Sequence, residues 1–91
     1  SHEYSEQLLT ILSESTFNKG IVAGVPKGTP VAHKFGERAL VGESSVQLHD
    51  CGIIYKPENP YLLCVMMRGN DFNTIASAIA EVSRTVSEHL K

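Results

Sequence analysis

The chain has 91 residues, 42% of them hydrophobic and 20% charged, with a formal net charge of −2. That length suits one small domain, which buries roughly two-thirds of its unfolded surface and is thinly stabilised without a partner. The composition excludes a disordered chain, the scattered Lys and Arg leave no basic footprint for nucleic acid, and no apolar run approaches the ~18 residues of a membrane span. No signal peptide opens the sequence.

From Glu3 to about Glu14 the pattern is helical. Tyr4, Leu8, Ile11 and Leu12 recur at spacings of three and four, Leu9 widens the stripe, and Glu3, Glu6, Gln7 and Glu14 lie elsewhere. Asn18-Lys19-Gly20 ends it. A helix of about three turns is marginal alone in water, so the stripe should pack on something. Ile21 to Pro30 alternates apolar residues with glycine and proline, which predicts a packed, irregular connection. A first strand then runs from Val31 to Gly36, and Glu37 to Ser45 reads as a polar hairpin excursion turning at Gly42.

Val46 to Tyr55 is the second predicted strand. Val46, Leu48, Asp50, Gly52 and Ile54 share one face, and Gln47, His49, Cys51, Ile53 and Tyr55 share the other. Neither face is wholly polar, which predicts cover on both sides. Tyr61 to Met67 is a continuous apolar run ending at Arg68-Gly69, the pattern of a strand buried on both faces, with Met66 and Met67 in the core. The short connections make the sheet an antiparallel meander. A helix from about Asp71 to Leu90 follows, with Phe72, Ile75, Ala76, Ile79, Val82, Val86 and Leu90 as its stripe and Asn70 or Asp71 as N-cap. The prediction is an α+β fold: a three-stranded antiparallel sheet flanked by an N-terminal and a long C-terminal helix.

Cys51 and Cys64 are the only cysteines, too few for a disulfide framework. If Tyr55 pairs with Pro60, the two face each other; if Tyr55 pairs with Tyr61, they are offset. Cross-strand bridges strain disulfide geometry, so the expectation is two buried thiols. His33, His49, Asp50 and Cys51 lack the tight spacing of a metal site, and no cofactor is predicted. His49 and Asp50 do not form a dyad, because neighbours on a strand point to opposite faces.

The stretch that carries chemistry is Pro30-Val31-Ala32-His33-Lys34-Phe35-Gly36. Lys34 supplies a fixed positive charge, and Gly36 lets another group approach the backbone. Those residues describe a place to hold an anionic group beside an exposed strand, with Phe35 filling a gap in the core.

Pro26 to Gly36, then His49-Asp50-Cys51-Gly52-Ile53-Ile54-Tyr55, then Val65-Met66-Met67-Arg68-Gly69 resemble, in that order, the carboxy-terminal third of the class A β-lactamase and penicillin-binding serine hydrolases. The resemblance implies that Lys34 attracts a substrate carboxylate and that Gly36 lets substrate lie along the strand. It also implies that the Glu37 N–H is an oxyanion-hole donor. Two departures stand out. Phe35 occupies the position where a Thr or Ser hydroxyl helps bind the carboxylate, and a phenyl ring cannot donate that bond. Cys51 falls near the position of an arginine that reaches the carboxylate in some members. The resemblance implies an extracytoplasmic location and, in a longer parent, a β-lactam or peptide as substrate.

The family nucleophile sits in Ser-x-x-Lys, with a second motif Ser-Asp-Asn. Neither occurs in these 91 residues. The expectation is therefore one domain, residues 1–91, that forms part of a larger β-lactamase-like domain and does not itself turn over acyl substrates. Its uncovered sheet should dock on the rest of that fold or drive homo-oligomerisation. The alternative is a self-standing α+β binding or interaction module, which predicts a closed core.

Overall fold

The structure, a computed structural model, describes residues 2–13, 17–39 and 45–90. The elements follow in the order α1 (His2–Ser13), α2 (Ile21–Gly24), β1 (Val31–Ala39), β2 (Val46–Ile54), β3 (Tyr61–Gly69) and α3 (Phe72–His89). The strands form one antiparallel sheet in the order β1-β2-β3. The predicted α+β architecture is the observed one, with two adjustments. The connection expected to be irregular contains the single turn α2, stapled by the Ala23 N–H donating to the Gly20 carbonyl at 3.1 Å. β1 continues past Gly36 to Ala39, because Glu37, Arg38 and Ala39 pair with Leu48, Gln47 and Val46. Glu14 and residues 40–44 of the expected excursion lie outside the described residues.

Asp71 caps α3 as expected: its carboxylate accepts from both the N–H and the hydroxyl of Thr74 at 2.9 Å. The helix lays Ile75, Ala76 and Ile79 on one face of the sheet, where they meet Leu48, Ile54, Val31, Ile21 and Val25. Its Ser83, fully buried, donates to the carbonyl of Ile21 at 2.8 Å and so ties α3 to α2.

The opposite face lacks comparable cover. β3 alternates half-buried and exposed residues along its whole length, so it is not buried on both faces. Met67 packs against the core, whereas Met66 is 75% exposed. The far face of β2 is only partly covered: Gln47, Cys51 and Ile53 are half-buried and His49 is exposed. In α1, which lies against β1, Tyr4, Leu8 and Ile11 are 75%, 56% and 64% exposed, so a large part of the predicted apolar stripe stays open to solvent.

The core also encloses a polar knot. Asp50 on β2 and His33 on β1 are both buried, and His33 Nδ1 meets Asp50 Oδ1 at 2.8 Å. A carboxylate can only accept, so Nδ1 carries the proton. The other carboxylate oxygen accepts the Ile21 N–H at 3.0 Å. Gly20 makes that contact feasible, because a Cβ there would lie 2.6 Å from Asp50 Oδ2. Replacing Asp50 with Ala should destabilise the fold by about 3–5 kcal/mol, since it strands two buried donors. Urea unfolding measures this, and a loss below about 1 kcal/mol would show that the knot is not structural.

Candidate functional site

Alternation and register sort the candidate residues onto two faces. Lys34, Cys51 and Cys64 form one cross-strand row, and Gly36, His49 and Met66 form the next, all on the less covered face. Phe35 and Asp50 pair on the helix-covered face, and Glu37 lies opposite Leu48. Lys34 is exposed on the edge strand; its Nζ donates to the Phe35 carbonyl at 2.8 Å and stands 5.2 Å from the centre of the Phe35 ring. The ammonium is thus held along the strand by a carbonyl and an aromatic face, with its remaining protons open to an anion.

Phe35 is a packing residue. Its ring stacks on Phe17 with centroids 4.2 Å apart, and Phe17 in turn meets Phe72 edge-on at 6.2 Å. An aromatic pair of this kind contributes about 0.5–1.5 kcal/mol beyond its area. Gly36 has a specific role as well. A Cβ at that position would fall inside the imidazole of His49, which lies across the glycine on the open face. Glu37 is exposed.

The four residues weighed as a metal cluster are split by the sheet: His33 and Asp50 point into the core, His49 and Cys51 to the other side. Asp50 has a histidine partner after all, but it is His33 across the strand pair and not His49 beside it. The signal for this was two polar residues placed at apolar-face positions of paired strands. Phe17 carried no such signal, standing in a connection without periodicity.

Of the two registers open to the β2–β3 hairpin, the structure has the one that sets Cys51 opposite Cys64. The two are bonded as a disulfide, not the buried thiols expected. Burial does not isolate them either, since Cys51 is half-buried and Cys64 exposed. Clefts of about 350 and 340 Å³ lie elsewhere, one beside α2 and α3 and one at Pro26, Lys56 and Tyr61; neither is lined by Lys34, Gly36 or His49.

The profile of the Beta-lactamase enzyme family matches residues 1–90. The chain belongs to that family. Among solved structures it is similar to PBP-A, at 27% identity and a TM-score of 0.76 over 98% of this chain and 32% of that one. An ancestral class A β-lactamase aligns at 26% identity and a TM-score of 0.78, covering 99% of this chain and 34% of that one. A β-lactamase from Chitinophaga pinensis shares the fold, with a TM-score of 0.85 at 23% identity over 100% of this chain and 35% of that one. The chain therefore spans about a third of the length of these proteins. No curated protein sequence matches it.

The disulfide closes a loop with a sequence separation of 13. Removing it by Cys51→Ala/Cys64→Ala should lower stability by about 2–4 kcal/mol. Denatured protein should show no titratable thiol before reduction and two after; free thiols in the unreduced protein would contradict the bond.

Proposed function

We propose that this chain is the sheet portion of a β-lactamase-like serine hydrolase, in which Lys34 holds the carboxylate of an acyl substrate. Gly36 and the backbone N–H of Glu37 take the substrate along the strand, and residues outside this chain supply the nucleophile. The observation that carries the reading is the exposed Lys34, followed by half-buried Phe35 and Gly36, on an edge strand of a chain whose family profile runs from residue 1 to 90. One structural relative is an acyl-enzyme complex of PBP-A with penicillin G, which makes a β-lactam the natural probe. The unpaired Lys34 charge beside a low-dielectric sheet face suits a carboxylate.

The single domain of residues 1–91 is then part of a larger one. Exposed Tyr4, Leu8 and Ile11 on α1, with Leu62 and Met66 on β3, support this over a self-standing module, which would close its core. They are the surfaces that the rest of the fold covers or, in its absence, that a second copy covers. The disulfide fits an oxidising, extracytoplasmic compartment.

Phe35 sets the limit on recognition. With its ring turned into the Phe17 stack, it offers the substrate no hydroxyl, so Lys34 works without the usual neighbour. The test is acylation by a labelled penicillin, followed by mass spectrometry. The chain alone should form no adduct. In a longer protein that joins it to Ser-x-x-Lys, Lys34→Ala should slow acylation at least tenfold, because a charge-assisted bond to the substrate is lost. An unchanged rate in that variant, or an adduct on any serine of the isolated chain, would defeat the reading. At micromolar concentration the isolated chain should self-associate; light scattering that returns a 9.9 kDa monomer would show that its exposed apolar surface needs no cover.

A further inference from the structure

Where β1 and β3 begin and β2 ends, the helix-covered side of the sheet opens into the cleft of about 340 Å³. Pro26, Ile54 and Pro57 give it apolar walls, and Thr29, Lys56, Tyr61 and Ser87 bring polar groups to it. Backbone bonds brace those walls. The Thr29 N–H donates to the Pro26 carbonyl at 3.1 Å, that of Tyr55 to Pro30 at 3.0 Å, and that of Asn59 to Lys56 at 3.1 Å. The cleft is thus built from closed turns, and its size falls within the ~300–1,000 Å³ of small-molecule sites.

Two of its residues lack the partners that their surroundings call for. Tyr61 stands opposite Ile54 in the β2–β3 pair and packs its ring against the core. Its hydroxyl is buried with no hydrogen-bond partner among the described residues, so neither Thr29 nor Ser87 serves it. A buried tyrosine usually finds such a partner, because an orphaned hydroxyl costs the fold its lost hydration. Lys56, two residues beyond Ile54, is half-buried. The ion pairs formed among the described residues, His2–Glu6, His33–Asp50 and Glu81–Arg84, leave its charge unneutralised. A cation beside apolar walls attracts an anion more strongly than one surrounded by water. The cleft therefore offers an apolar floor, a positive charge and a hydroxyl still free to donate.

We propose that this cleft binds a small organic acid with an apolar ring. The carboxylate meets the Lys56 ammonium, the ring lies against Pro26, Ile54 and Pro57, and the Tyr61 hydroxyl donates to an oxygen of the ligand. A bare carboxylate would leave the apolar walls wet, and a neutral ring would leave Lys56 without a counter-charge. Lys34 does not line the cleft, so the inference stands apart from the role given to that residue.

The experiment is an amide-shift titration of the 91-residue chain with benzoate, acetate and benzyl alcohol at matched ionic strength. Benzoate should move the Thr29, Lys56 and Tyr61 amides and bind about tenfold more tightly than acetate, which buries no ring. Lys56→Gln should weaken benzoate about five- to tenfold and leave benzyl alcohol unchanged. Lys19→Gln, at an exposed lysine outside the cleft, should change neither. Tyr61→Phe should weaken benzoate about threefold without lowering the urea midpoint, because the hydroxyl has no bond within the fold to lose. Benzoate no tighter than acetate would overturn the proposal, as would a Lys56→Gln or Tyr61→Phe variant that binds it like the parent chain. Equal weakening by Lys19→Gln would reduce the effect to overall charge. A fall in the urea midpoint of Tyr61→Phe would show that the fold itself uses the hydroxyl. Benzoate shifts confined to Lys34 and Gly36 would place the acid at the edge strand, refuting this cleft and leaving the role of Lys34 intact.

Discussion

Everything near Lys34 depends on the buried contact between His33 and Asp50. It joins two strands where their backbones already pair, and its second carboxylate oxygen reaches the first N–H of α2. Ser83 then takes the carbonyl of the same residue, Ile21, from the far side. One residue of α2 is thus held at both its donor and its acceptor, from β2 and from α3. Such a knot is stabilising only when its members are paired, because the same low-dielectric surroundings that strengthen the bonds make any orphan costly. His33 Nε2 is buried without a hydrogen-bond partner among the described residues.

The consequence for the candidate site is geometric. Lys34 follows His33 directly, so anchoring one side chain into the core points the next outward. The same alternation turns Phe35 inward against Phe17. The strand therefore alternates anchor, charge and anchor. Gly36 follows as the gap across which His49 lies. A substitution that weakens either anchor loosens the orientation of the charge without touching it, which is how packing residues reach binding in a small sheet.

Much of this was legible in the residues. The period of α3, its Asp71 cap and the meander followed from pattern and punctuation, and the order of motifs placed Lys34 on its strand. What misled was hydrophobicity taken without its surroundings. Tyr61 to Met67 reads as a strand enclosed on both faces, and Tyr4, Leu8 and Ile11 read as a helix face in need of a partner, yet Leu62, Met66 and the helix stripe are exposed here. Among the described residues those side chains lie open to solvent, so pattern alone overstated how far they are enclosed. Tertiary pairing was the other blind spot. That His33 meets Asp50, and that Cys51 meets Cys64, depends on a register which two hairpins could have set one residue differently.

β3 closes the described sheet on one side, and its outer edge presents backbone donors and acceptors that no described strand satisfies. From Tyr61 to Met67 that edge carries no charged side chain; Pro60 precedes the run and Arg68 follows it. Those two act as gatekeepers, one unable to donate to a neighbouring strand and the other repelling its own copy in register. Between them lie seven residues with the low charge and strand preference that template fibrillar stacking. An uncovered β3 edge is thus an aggregation-prone segment of this polypeptide, independent of its net charge.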